Sequence, residues 1–465
     1  MTDSVRQANR WVILIMGTLL HLCLGTVYAW SYFQNPLVNA YGWTNSQTVW
    51  VFSLAICCLG RSAAVGGGVL PRVGPRRLAL AGGALFGSGY LLAALALRLK
   101  SLPLLYLGYG VVGGTGLGLG YVTPVATVAR WFPDRKGLAT GAVVMGFGLG
   151  ALLMSKVLAP ALMVWTGDNL VVVFGSLGAV FAALTMAVAA FLRNPPPGYS
   201  PAGWVPSGTA ASPAAIPEDN EPRECLASGR FALLWLVFFC NIVAGISIIS
   251  FQSPLLQDIY IRRDSSFTSV PQLRAAEKRE KVEGREILTP PERTALKDMT
   301  KALAALGGTL IAVSSIFNGV GRFFWGSLSD RIGRAAAFRL MLGTQIAVFG
   351  LLLTTGHPWV FGALVCFVLL AYGGGFGTMP AFVLTVFGNR AMAVVYGSLL
   401  TAWSAAGVVG PQIIAYIKDH YAARASTYSF ATGGTFLLVG FLLSLVLHDR
   451  PFTSNTSPPS SSRAR

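Results

Sequence analysis

Charge is what this chain has least of. Only 11% of its 465 residues are Asp, Glu, Lys or Arg, against about 25% in a water-soluble domain. Acids are the scarcer sign, 18 against 35 Lys and Arg, for a net charge of +17. There are four histidines and six cysteines (Cys23, Cys57, Cys58, Cys225, Cys240 and Cys366). No CxxC pair or repeated cysteine spacing occurs, so free structural thiols are expected. HExxH, a Walker lysine motif, a nucleophile elbow and a Cys/His cluster are also missing. The chain therefore carries no enzyme constellation, and no cofactor or metal is expected. GGTGLGLGY (Gly113–Tyr121) lacks the G-x-G-x-x-G register and lies inside an apolar run, which excludes a nucleotide loop.

Apolar length is abundant instead. Apolar residues make up 54% of the chain, and the mean hydropathy is +0.60. Runs of about 20 apolar residues recur along the sequence, each sufficient to cross a ~30 Å hydrocarbon core. The short alternating segments of a transmembrane barrel do not occur. The expected class is an all-α membrane protein with twelve transmembrane helices. Spans fall at roughly 11–33, 45–69, 78–98, 103–129, 137–161 and 170–192, then 231–256, 303–328, 337–356, 358–386, 391–416 and 428–448. The first run is longer than the apolar core of a cleavable signal.

Four divisions follow. Residues 1–193 form one six-helix bundle and 230–449 a second. Between them, 194–229 is rich in Pro, Ala and Ser and reads as a flexible cytoplasmic linker. The tail 450–465 reads as disordered. Residues 258–301 interrupt the second bundle as an extracytoplasmic, solvated insertion whose middle, LRAAEKREKVEGREI, suits a short surface helix; a lid or a partner contact is the alternative. The basic residues punctuate span ends, which argues against a nucleic-acid partner. About a dozen fall in short loops on one side and about five on the other, which places both termini in the cytoplasm of a cell membrane.

The halves repeat. GGGVLPRVGPRR (Gly66–Arg77) matches WGSLSDRIGR (Trp325–Arg334), with Gly67 on Gly326. GLGLGYVTP (Gly116–Pro124) matches YGGGFGTMP (Tyr372–Pro380), and the FPDR starting at Phe132 matches the FGNR starting at Phe387. Six spans per half insert both copies the same way, giving two parallel-repeat bundles around a midplane site, an alternating-access arrangement. Gly326, Asp330, Arg331, Gly333 and Arg334, with Gly67, Arg72 and Gly74 in the first half, are read as conformational residues. Asp330 can face a helix N-terminus or a neighbouring arginine across the bundle, and Pro71 in the Asp position weakens the first-half copy.

Arg322 lies inside an apolar span and costs roughly 2.5–3.5 kcal/mol at a bilayer centre. Its planar fork of donors can hold a carboxylate by two parallel hydrogen bonds. Ser315 and Asn318 lie on the same helical face and could orient it. Snorkelling to the nearby surface is the alternative. Arg61 reaches similar depth on the second span, either as another cation for a dicarboxylate or as a snorkelling side chain. Asp258 and His21 are the proton-coupling candidates, against plain helix-end and packing roles. Tyr28, Trp30, Tyr121, Tyr372, Phe376 and Trp403 sit on spans expected to line the cavity, where they would close around a small acid or simply pack.

The Gly326–Arg334 pattern resembles the signature of the major facilitator superfamily. More narrowly, GTVYAWSYF (Gly25–Phe33), RWFPDRKGLATG (Arg130–Gly141), FQSPLLQD (Phe251–Asp258), FNGVGRFFWGSLSDRIGR (Phe317–Arg334) and TAWSAAGVVGP (Thr401–Pro411) resemble the oxalate/formate antiporter-like family, related to monocarboxylate transporters. The resemblance implies that Arg322 binds substrate. It also implies an acid where this chain has Asn318 in the animal-type relatives, and a lysine near Trp403 in true oxalate exchangers. Losing that lysine favours a monocarboxylate such as lactate, pyruvate or formate over a dianion. The expected function is proton-coupled symport of a monocarboxylate by a monomer. Oxalate/formate antiport is the alternative, and a non-transporting membrane sensor is the reading from another class.

Overall fold

The computed structural model describes residues 9–132, 134, 136–196, 199–201 and 220–452. Most of the expected linker (202–219) and tail (453–465) lies outside the described residues. Twelve described helices are long and apolar enough to cross a membrane. Spans 1–6 are Arg10–Tyr41, Asn45–Leu70, Pro75–Arg98, Leu102–Trp131, Ala139–Thr166 and Leu170–Ala189. Spans 7–12 are Gly229–Arg263, Pro290–Ile332, Arg334–Thr354, Pro358–Gly388, Val394–His420 and Ala425–Leu445. The ends carrying Gly67–Arg77 and Gly326–Arg334 form one face, called here the motif face. The opposite, insert face carries the turn between spans 7 and 8.

Local chemistry sets the helix ends. Asn9 accepts from the Trp11 N–H, Asn169 from Val171 and Val172, and Ser228 from Phe231. Thr44 with Gln47 and Thr289 with Glu292 form capping boxes ahead of spans 2 and 8. At the motif face the repeat is written into the backbone. Gly74 (φ 83°, ψ 157°) and Gly333 (φ 92°, ψ 152°) make the same left-handed turn after spans 2 and 8, a conformation open to glycine and costly for other residues.

Each bundle is held by close helix contact rather than by an apolar core in water. Lipid tails are as apolar as leucine, so dispersion at near backbone approach does this work. A Cβ on Gly82 of span 3 would lie 2.7 Å from the Gly120 nitrogen of span 4. The outward faces keep large apolar groups exposed, among them Val164 (80%), Trp359 (76%) and Val65 (64%), as lipid contact requires. The bundles meet through spans 2 and 11, 5 and 8, and 1 and 7.

Two expectations need correction and a third is sharpened. Residues 258–301 carry the expected surface helix and keep most side chains exposed, yet they also hold a small apolar core. Span 7 runs on to Arg263 and span 8 begins at Pro290, beyond the expected edges 256 and 303. Between them the helix Val270–Glu283 folds back, and Phe267, Val270, Leu288, Leu296 and Leu303 close a small apolar core of their own. The linker is not flexible to residue 229: Pro222–Ala227 is helical, Cys225 is fully buried, and Asn220 donates to the Phe452 carbonyl at 2.8 Å. The start of the tail is likewise pinned. The Phe452 N–H donates to the Val386 carbonyl at 2.7 Å, and Arg230 holds the carbonyls of Arg450 and Pro451.

Candidate substrate site

Among the described residues, Arg322 is the only Lys, Arg, Asp or Glu that is buried; it is 4% exposed. None of its three side-chain nitrogens has a hydrogen-bond partner. Its Cζ lies 5.3 Å from the centre of the Phe376 ring, a cation–π contact. The side chain thus neither reaches a headgroup layer nor meets a protein acid. A planar fork of donors is held in the interior without an acceptor, and a buried donor without a partner is costly unless a ligand supplies one.

The Phe376 ring that faces this cation belongs to a cluster drawn from both bundles. Tyr28 (span 1), Tyr121 (span 4), Phe147 (span 5), Tyr372 and Phe376 (span 10) and Trp403 (span 11) form one cluster. Trp403 is its hub, with ring centres 4.8 Å from Phe376, 5.5 Å from Tyr121 and 6.0 Å from Phe147. The hydroxyls of Tyr28 and Tyr372 meet at 2.8 Å across the two halves. A 3₁₀ segment, Gly25–Ala29, interrupts span 1 and sets Tyr28 there; beside it, Gly25 lies so close to the Phe147 backbone that no side chain would fit. Tyr121 keeps a buried hydroxyl without a partner.

Toward the insert face, a cavity of about 10 Å³ is lined by Tyr28, Gln252, Ser314, Ser315 and Asn318 among others. That is room for about one water molecule and too little for a small organic acid. Asn318 Oδ1 is buried without a partner. Ser314 donates to Gln252 Oε1 at 2.8 Å. Ser315 does not orient Arg322 as expected. It crosses instead to span 5, donating to the Gly148 carbonyl at 2.5 Å. That crossing exists because Gly148 and Gly319 let spans 5 and 8 touch: a Cβ on Gly148 would lie 2.9 Å from the Gly319 Cα.

The other candidates are placed apart. Arg61 is exposed on the helical face of Val65 and Val69, outside the ring cluster. Asp258 sits at the insert face in an ion pair with Lys418, 2.5 Å from Nζ to Oδ2. His21 is fully buried at the edge of the cluster. Its Nε2 lies 2.8 Å from the Tyr121 carbonyl, its ring stacks on Tyr121 at 4.8 Å, and Nδ1 has no partner.

At the motif face, the arginine that Asp330 meets is Arg334 of its own motif, 2.5 Å away, and Arg334 also donates to Ser329 Oγ at 2.8 Å. The acid that caps the following helix is Asp449, which accepts from the Ala335 N–H at 2.8 Å. Arg331 and Arg72 are exposed. Gly67 packs on Val122 of span 4, and Gly326 on Gly377 of span 10, so the two halves use corresponding pairs of spans.

Sequence reasoning missed Phe147, Gln252 and Ser314. Phe147 had a signal, an aromatic between glycines in MGFGLG (Met145–Gly150). Gln252 stood inside the quoted FQSPLLQD run as a polar residue in an apolar span.

The sequence profile described as Major Facilitator Superfamily matches residues 14–273. The oxalate:formate antiporter of Oxalobacter formigenes is 25% identical, over 89% of this chain and 86% of that protein. Apicoplast pyruvate carrier 1 of Toxoplasma gondii is 25% identical over 95% and 88%. Human monocarboxylate transporter 11 is 25% identical over 85% and 73%. Among solved structures, a bacterial homologue of the human lysosomal transporter Spinster, inward-facing and unoccupied, superposes with a TM-score of 0.62 at 17% identity, covering 95% of this chain and 98% of that one.

Proposed function

Since this chain belongs to the Major Facilitator Superfamily and is related to oxalate:formate antiporters and monocarboxylate transporters, we propose that it carries a small monocarboxylate by alternating access. One observation supports this above the rest: a cation, the only one buried among the described residues, whose donors meet no protein acceptor and which lies against an aromatic cluster. One guanidinium balances one carboxylate. A dianion would bring a second charge for which the cluster offers an indole, Trp403, and no cation. Lactate, pyruvate and formate fit this balance, with Arg322 as anchor and Asn318 beside it.

For coupling we propose proton symport. Asp258 is engaged with Lys418 away from the cluster, which leaves His21, stacked on Tyr121, as the proton carrier nearest the substrate. We place the protein in the cell membrane with the motif face and both termini cytoplasmic, following the bias of basic loop residues.

The test is labelled-substrate counterflow and uptake in proteoliposomes. Counterflow of lactate or pyruvate separates a carrier from a sensor, which would accumulate nothing. An imposed inward proton gradient should drive concentrative uptake. One-for-one exchange indifferent to pH would replace symport with antiport.

A further inference from the structure

The insert face is closed by a junction that the substrate chemistry does not use. Span 2 begins with Asn45 and Ser46, whose backbone N–H groups have no partners within their own helix, as at any helix start. The capping box occupies Gln47 and Thr44, leaving those two donors over. They are taken by the other half of the molecule. Asp419, in the last turn of span 11, accepts from the Asn45 N–H at 2.9 Å, the Asn45 Nδ2 at 3.0 Å and the Ser46 N–H at 2.8 Å. A carboxylate is thereby seated on the positive end of a helix across the inter-bundle seam, where dipole and hydrogen bonds act in the same sense.

The neighbouring residues make this more than a lone contact. Lys418, adjacent to Asp419, pairs with Asp258 of span 7. Gln257, adjacent to Asp258, accepts from Asn35 Nδ2 of span 1 at 2.8 Å and donates to Ser253 at 3.1 Å. Two adjacent pairs, 257–258 and 418–419, therefore share one design. In each, one residue ties spans 7 and 11 together and the other crosses to the first bundle. The insert helix stands behind the junction: its partly buried Arg274 is held below the usual arginine pKa by burial and raised again by Asp258 and Glu277.

We propose that Asp419 is the latch of the insert face: its hold on the start of span 2 keeps the two bundles closed on that side, braced through Lys418 and Asp258. Opening this face must break three charge-assisted hydrogen bonds at once, while the glycine contacts nearer the middle can roll.

Spin-label distances test this without any substrate, so failure here is separable from failure of the carboxylate reading. Nitroxides at Lys100→Cys and His357→Cys, exposed positions on the insert face of opposite bundles, are placed in a chain with its native cysteines replaced. The parent should show mainly the short distance. Asp419→Ala should raise the ratio of long to short distances roughly tenfold or more, with Asp419→Asn in between. Parent-like distributions in both variants overturn the latch. Asn45→Cys with Asp419→Cys strengthens the junction rather than removing it. Oxidation should stop counterflow and dithiothreitol restore it; counterflow that continues with the disulfide formed overturns the proposal as well.

Discussion

Replacing Arg322 with methionine should stabilise the empty protein while destroying its use. The guanidinium is 4% exposed and makes no hydrogen bond from any nitrogen. Holding such a charge in the membrane interior costs roughly 2.5–3.5 kcal/mol. The face of Phe376, 5.3 Å away, returns about 0.5–2 kcal/mol. Methionine fills similar volume without the charge, and apolar replacements of buried ions are often neutral or stabilising. The difference leaves a net gain of roughly 0.5–3 kcal/mol, or an unfolding midpoint raised by roughly 1–5 °C. Thermal unfolding of the purified protein, with and without added lactate or pyruvate, is the assay. The parent midpoint should rise with the acid, and that of Arg322→Met should start higher and stay put. A lower midpoint without ligand would mean that the guanidinium is a structural prop, and the argument from its unused donors would collapse. A preserved ligand shift would move the anion to another site.

Other expectations test neighbouring parts. Arg322→Lys keeps the charge and loses the fork, so the half-saturating concentration in uptake should rise about 10–100-fold. His21→Gln should abolish the response to a proton gradient and leave counterflow intact, whereas Asp258→Asn should keep the proton response; the opposite pattern assigns the proton to Asp258. Leu303→Ala empties the insert's small core and should cost about 2–5 kcal/mol locally. Hydrogen exchange should quicken across 258–301 while uptake persists.

Span number, the repeat and the position of Arg322 were legible because each is a property of local sequence. Apolar run length is counted directly, and the helix-ending glycines recur where the backbone turns left-handed, at Gly74 and Gly333. Of the six aromatic candidates read from the spans they occupy, the fold brings five into one cluster with Phe147 added, while Trp30 packs apart on Tyr109 and donates to Gln34. Contacts between elements were not legible. Nothing local says that Ser315 spends its hydroxyl on the Gly148 carbonyl, or that Asp419 caps a helix in the other bundle. The insert's surface helix was legible from its charges, but its small core was not: Phe267, Leu288 and Leu303 are too widely spaced to show that they meet.

The repeat itself explains why one arginine of two is buried. With Gly67 on Gly326, Arg61 falls on Val320 and Arg322 on Ala63. Val320 is 50% exposed and Ala63 is 1% exposed. Arg61 therefore occupies an outward register that both halves keep, and Arg322 an inward one. The same alignment sets Ser315 on Ile56 and Asn318 on Leu59, both fully buried apolar residues. One helix face thus performs different work in each copy. In span 2 it packs as hydrocarbon; in span 8 it carries a guanidinium, an amide and a hydroxyl, the last tied to the Gly148 carbonyl of span 5. The first bundle contributes rings instead, Tyr28, Tyr121 and Phe147, and the second supplies the hydrogen-bonding groups of span 8 together with rings of its own. A carboxylate bound here would be anchored to the second bundle and walled by the first. Relative movement of the bundles would then open the wall without releasing the anchor, which lets access alternate around a site that stays in place.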